Sequence, residues 1–308
     1  MTEAVRRNSA HDSVIEIGHH AFPVLARDAS VGAGLQVMVT ASLRSLRIAV
    51  HRNQSERPET VHRFRVGLRR LRSLLSAFRS VLPEAERRAL GSRLSALARR
   101  YGRARDWDVF LSATVRPMAA ALPDEPAIKE LQACAAEARQ HALPAAVDFG
   151  EETREVAKAV ETAGWLQAPS PEFAEEWRRD LRGFAGELLA RRHRRLRKRL
   201  KAVDLDDRAA FHDLRIQAKK TRYPIEMFEN LYDEDAVDDY LDRLIAIQDA
   251  LGHLNDAIEA RAMVSELPLS SRSQGLAYGW LAHEIDARRH RFPAAAKKLR
   301  KAAPFWEE

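Results

Sequence analysis

Cysteine is nearly absent: Cys134 stands alone among 308 residues, so no internal disulfide can form and a reducing compartment is expected. Long apolar runs are absent too. The most tempting, Val31 to Leu43, spans 13 residues before Arg44 interrupts it, too few to cross a bilayer. The N-terminus carries Glu3 and no apolar stretch of the secretory kind. These absences predict a soluble cytoplasmic protein without a membrane span. Thirteen glycines and thirteen prolines are too few for a fibre or a linker-dominated chain. No segment sustains the period-two alternation of strands, while Leu, Ala, Arg and Glu dominate, which favours helices nearly throughout. Neither a phosphate-cradling P-loop nor an H-E-x-x-H zinc motif occurs, and no cofactor or metal is called for.

What is abundant is charge. With 45% hydrophobic and 31% charged residues, the chain can bury a sizeable core and still carry a dense ionic surface. The net charge of +7, from 51 Lys and Arg against 44 Asp and Glu, is modest, so a strong anion site requires the charges to segregate. They do. Arg191 to Lys201 holds eight basic residues in eleven and no acid, whereas Asp233 to Asp242 holds six acids in ten. The acidic block has no metal-ligand set beside it and reads as a solvated face. His11-Asp12 and His19-His20 look like metal ligands only superficially and read as solvated groups near a terminus.

The chain is organised around Val61 to Arg72. At 3.6 residues per turn, His62, Arg65, Arg69 and Arg72 fall within an arc of about 80° on one side of a helix. Phe64, Leu68, Leu71, Leu75 and Phe78 fill the adjoining sector, so the cations flank an apolar stripe rather than oppose it. The pattern returns 150 residues later, where His212, Arg215, Lys219 and Arg222 hold the same four places. Upstream, Arg44, Arg47 and His51 share a helical face, and Arg194, Arg197 and Lys201 occupy the matching positions of the second copy. Gly102 and Asp106 likewise match Gly252 and Asp256. Arg65 with Arg69, and Arg215 with Lys219, place like charges at i, i+4, which repel by a few tenths of a kcal/mol in each copy. The expected fold is all-α: a pseudo-symmetric pair of helical bundles from an internal duplication, in which a twofold axis can bring the cationic faces opposite each other across one cleft.

In this reading residues 1–30 form a loosely attached N-terminal arm, 31–292 the domain, and 293–308 a basic C-terminal tail. Repeat one covers about 31–142 and repeat two about 173–292. Thr60 is expected to cap the central helix. Gly102 reads as a C-cap, and Asp106 and Asp256 as caps first, or as groups orienting a neighbouring arginine second. A helix is expected to stop at Pro117, a long helix to run from about Phe173 to Val203 behind Ser170-Pro171, and the last helix to end near Phe292.

The string VHRFRVGLRRLRSLLSAFRSVLP, with RARDWDVFL and the later FHDLRIQAKKTRY and LGHLND, resembles the CHAD family, the conserved-histidine α-helical domain. The resemblance covers about residues 31 to 292. It implies two related four-helix bundles around a basic pore that binds inorganic polyphosphate, with the family histidines at His62 and His212 and the pore cations at the Arg and Lys positions above. No E-x-E-x-K signature of a companion triphosphate-tunnel domain occurs, so a stand-alone member is expected. Pro224 departs from the family pattern, and a kink there would redirect Arg222.

Arginine forks and lysine point charges held together suit a multivalent anion. Aromatic residues make up only 7% of the chain and none lies between the key cations, which places single-stranded nucleic acid behind polyphosphate as a partner. The expected function is therefore non-catalytic polyphosphate binding, with attachment to polyphosphate granules as its cellular counterpart. The alternatives are a metal-dependent phosphohydrolase, or an interaction module for RNA or an acidic partner.

Overall fold

The computed structural model describes residues 14–17, 20–51, 58–142 and 148–307. His11, Asp12 and His19 lie outside them, as do the side chains of His20 and His51. The described residues are all-α apart from one hairpin, β1 (Val14–Ile17) and β2 (His20–Pro23), antiparallel with Ile17 opposite His20. The expected loose arm is anchored beyond the hairpin. Leu25 is buried, and its carbonyl accepts from Asn230 Nδ2 at 2.7 Å.

Helix α1 (Val31–His51) starts behind Ser30, whose Oγ accepts from the Ala33 amide at 3.3 Å, and buries Val31, Leu35, Met38 and Leu46. Helix α2 (Pro58–Ala77) opens two residues before the expected cap. Proline suits that first position because its missing N–H would have no intrahelical acceptor, and Thr60 is buried in the first turn instead. A short 3₁₀ turn, Arg79–Val81, leads to α3 (Glu84–Arg100). Tyr101 then breaks the axis at φ −102°, ψ 7°, its ring buried 5.6 Å from that of Phe64 and 4.9 Å from that of Phe149. Helix α4 (Gly102–Phe110) follows at once, so Gly102 is a first residue and not a C-cap, and Asp106 lies within the helix and not at its cap.

Pro117 does not stop the chain either. A π-turn over Leu111–Val115, in which the Arg116 amide reaches back to the Leu111 carbonyl, resets the register so that Pro117 falls in the first turn of α5 (Arg116–Ala121). Helices α6 (Pro126–His141) and α7 (Phe149–Glu161) follow. The long helix expected behind Ser170 is divided. Ser170 makes no side-chain cap, and a 3₁₀ turn and the short α8 (Ala174–Arg178) precede α9 (Leu181–Ala202), which Asp180 caps by accepting from the Gly183 amide at 2.6 Å.

Helix α10 (Arg208–Phe228), capped by Asp207 on the Ala209 and Ala210 amides, continues through Pro224. Helix α11 (Glu234–Val264) is a single rod, so Gly252 and Asp256 sit inside it and cap nothing. Helix α12 (Ser271–Arg300) runs past Phe292 and through Pro293. The supposed basic tail is its last turns plus a 3₁₀ turn, Phe305–Glu307, that buries Phe305 and Trp306.

Element starts recur at the interval read in the sequence: Val31 and Leu181, Pro58 and Arg208, Arg79 and Glu229, Glu84 and Glu234 each differ by 150. At the starts of α1 and α9 the backbone exchanges two hydrogen bonds, Val31 N–H to Arg179 O and Leu181 N–H to Ala29 O, both 3.0 Å. Exchanging each residue for its partner 150 away turns one bond into the other, the relation a local twofold axis imposes. Asp180→Ala removes the cap at this junction and is expected to lower stability by about 1 kcal/mol, read from the urea unfolding midpoint.

The apolar interior falls into two clusters. The larger core joins α1, α2 and α3 to α9, α10 and the first half of α11, with the Phe78 ring 5.3 Å from that of Phe184 and 5.9 Å from that of Phe228. A smaller core joins α4, α5 and α6 to the second half of α11 and the start of α12. Both draw on both halves, so α2 and α10 pack against one another as central elements.

Candidate anion-binding site

Where α2 meets α10, cations from the two halves fall within each other's electrostatic reach. The Arg69 guanidinium lies 5.7 Å from the centre of the Tyr223 ring, across the helix pair. Burial, then Arg215 and Arg69, and finally Arg65 push the Lys219 ammonium down to about 8, while Asp256 opposes them. Burial also holds the Arg65 guanidinium below its ordinary value; Asp106 works against this, and Arg69, Arg105 and Arg72 add to it. Arg65 donates from Nη1 to the Ala98 carbonyl at the end of α3, which fixes its direction. Arg65, Arg69, Arg215 and Lys219 are thus one cluster, two from each half.

Two carboxylates enter it. The protein packed around Asp106 raises its carboxyl, with Arg65 and Arg103 opposing and Glu259 and Asp256 adding to the rise. Asp106 is therefore within electrostatic reach of Arg65 and Asp256, and Asp256 of Lys219. The role considered second for these residues, acting on a neighbouring cation, is the one the helices permit. The signal was present in the sequence: each aspartate follows a glycine by four residues, so both lie on one helical face, and both recur at the same offset.

The remaining expected cations separate into groups. Arg72 lies at the edge of the cluster, its guanidinium lowered by burial and by Arg99. Arg47 on α1 is exposed and paired with Glu161 of α7 at 2.6 Å. Arg222 is tied to Glu226 one turn along and to Gln248 Oε1 at 3.2 Å, so it serves an internal network. Arg197 acts on His193 and Tyr240 on the far flank of α9. Arg44, Arg194, Lys201 and His212 are exposed, and His62 is partly buried in the second turn of α2. Arg105, Arg99 and Tyr223 are additional neighbours that sequence reasoning did not include. Among the described residues no group of three His, Cys, Asp or Glu is placed to hold a metal ion. No helix among them is long and apolar enough to cross a membrane.

Fold and charge together define an all-α protein with opposed cations at the junction of two helix hairpins. The chain belongs to the CHAD domain family, whose model matches residues 39–265. It is similar to the crystal structure of the CHAD domain from the plant Ricinus communis, with a TM-score of 0.70 and 27% identity over 93% of this chain and 99% of that one. PptA from Streptomyces chartreusis shares the fold, with a TM-score of 0.58 and 17% identity over 91% of this chain and 100% of that one. No curated protein matches the chain.

Proposed function

We propose that this protein binds inorganic polyphosphate without catalysis, across a cleft formed by the two halves of a duplicated unit and centred on Arg65, Arg69, Arg215 and Lys219. The observation that carries the reading is the packing of α2 on α10, which brings Arg65 and Arg69 of one half to Arg215 and Lys219 of the other, where burial first and the arginines second lower the Lys219 ammonium. Such crowding is unfavourable in the empty protein and is relieved by a polyanion. Burial strengthens each contact, because charge-assisted hydrogen bonds gain in low dielectric. Attachment to polyphosphate granules in the cytoplasm follows as the cellular expectation.

Titration calorimetry with polyphosphate at several salt concentrations tests the proposal. Four neutralised phosphates give a log–log slope of about −3, by analogy with roughly −0.7 per phosphate for single-stranded nucleic acid. A flat response overturns the electrostatic mechanism, and stoichiometric displacement by RNA would transfer the site to nucleic acid. Affinity is also expected to fall as pH rises through about 8, where Lys219 loses its proton in the empty protein. Below that pH, binding takes up little proton; near it, the bound anion restores the ammonium and proton uptake appears, measurable by comparing buffers of different ionisation enthalpy.

One observation favours a second reading. Asp106 and Asp256 lie within electrostatic reach of each other and of these cations, and carboxylates beside bound phosphate can recruit a divalent ion. Release of orthophosphate from polyphosphate by the pure protein with Mg²⁺ or Mn²⁺, lost in Asp256→Asn, would establish the phosphohydrolase instead.

A further inference from the structure

Away from the cluster, a cavity of about 390 Å³ opens between the end of α2, the α8 segment and the outer flank of α9. That volume lies within the range of small-molecule sites. Phe184 and Leu188 contribute its apolar side, and Arg79, Arg191, Arg192 and Arg195 its cationic side. Three acids stand in its wall, Glu172, Glu176 and Glu187, and the last two are already engaged. Glu176 and Glu187 hold Arg179 at 2.8 Å and 2.6 Å, and Glu187 also lies 3.6 Å from Arg191. Arg79, Arg192 and Arg195 have no carboxylate partner among the described residues.

Arg192 is the telling member. It is 6% exposed, and Nη2 donates to Ser76 Oγ at 3.0 Å, but its buried Nε has no partner. A buried guanidinium donor without an acceptor is costly, and the residue that carries it lines the cavity. Burial, followed by Arg79, Arg195 and Arg191, pushes this guanidinium down to about 10. The pocket is not a copy of the central cluster. Leu188, Arg191 and Arg195 lie roughly 120° round α9 from Arg194, Arg197 and Lys201 at 100° per residue. Residues 150 away from Arg79, Arg192 and Arg195 are Glu229, Ser42 and Ser45, which carry no positive charge.

We infer that this cavity is a second anion site, for a small phosphorylated organic molecule whose phosphate meets Arg79, Arg192 and Arg195 and whose carbon skeleton lies against Phe184 and Leu188. The inference stands independently of the polyphosphate reading. Free diphosphate offers the same anionic chemistry without the carbon skeleton, so both are tested.

The 308-residue protein is titrated with ADP and, separately, with inorganic pyrophosphate, for wild type, Arg79→Ser/Arg195→Ser and Lys219→Ala. Both changed arginines are exposed, so the double variant is expected to fold. ADP binds wild type; the arginine pair loses at least about 10-fold in affinity, as expected for two charge-assisted contacts, and Lys219→Ala loses none. ADP binding more tightly than pyrophosphate supports the apolar contribution, and the reverse order reduces the site to one for inorganic diphosphate. No binding by wild type, unchanged binding by the arginine variant, or loss in Lys219→Ala each overturns the inference. Polyphosphate titration of the same variants separates the two sites, since only Lys219→Ala is expected to weaken it.

Discussion

Arg69→Ala with Lys219→Met is expected to lower polyphosphate affinity at least about 100-fold while making the protein more stable at neutral pH. The affinity estimate takes about 1.5 to 3 kcal/mol for each lost bond between a charged donor and phosphate. The stability gain has a separate cause. Lys219 moves from 10.5 to about 8 in the folded protein, so keeping it protonated at pH 7 costs on the order of 3 kcal/mol, and methionine removes that cost while retaining most of the stem's packing. The sign can be checked through pH. Between about 8 and 10.5 the unfolded chain holds the Lys219 proton and the folded protein does not, so this group makes wild-type stability rise with pH across that window. In the variant that component disappears, and the difference between the two urea unfolding curves narrows from neutral pH upward. A cluster serving only the fold would behave in the opposite way, losing stability on substitution. Unchanged affinity, or loss of affinity and stability together, would refute the assignment.

Helical spacing decides which of these residues could be read from the sequence. The 3.6-residue spacing places Arg65 and Arg69 on the flank of a buried stripe, and the interval of 150 places Arg215 and Lys219 in the matching position, so the cluster was legible without coordinates. The same spacing groups Arg47 with Arg44, but a helical face does not reveal what lies opposite it. Glu161, which holds Arg47, comes from α7, 114 residues away. Arg222 matches Arg72 by position, yet Glu226 stands one turn beyond Arg222 where Ser76 stands beyond Arg72, and that single carboxylate turns the cation inward.

Local signals failed where tertiary packing supplied an alternative. Glycine and aspartate at residues 102 and 106 spell a helix junction. The actual break is one residue earlier, at Tyr101, whose ring is buried beside Phe64 and Phe149, while Leu251 at the matching position lets α11 run through. Pro117 reads as a stop, Pro224 as a kink, and Phe292, just before Pro293, as the end of the last helix. The first is absorbed by a π-turn, and the other two lie inside helices whose flanking residues are anchored in the core.

Trp306→Ala is expected to destabilise the protein by about 3 to 5 kcal/mol, as large-to-small changes of buried aromatics do. The indole is buried in a ring of aromatic contacts: 5.2 Å from Tyr240, 4.8 Å from Phe305 and 5.4 Å from the His193 imidazole, measured between ring centres. His193 in turn shares a 2.7 Å hydrogen bond with the Tyr240 hydroxyl. Burial, with Arg197 adding to it, pushes the His193 imidazole down to about 4, so it stays neutral in the folded protein where the unfolded chain would take up a proton. Wild type therefore loses stability from this group as pH falls from about 6.5 to about 4, by up to roughly 3 kcal/mol. Removing the indole admits water beside His193 and raises its pKa, so the variant begins less stable but loses less on acidification. The His193 ring resonances in NMR report the titration directly. Polyphosphate affinity at pH 7 is expected to be unchanged, because the indole lies on the flank of α9 away from the α2 and α10 cations. A variant with wild-type stability, or an unmoved His193 titration, would mean that the C-terminal turn rests on the domain without supporting it.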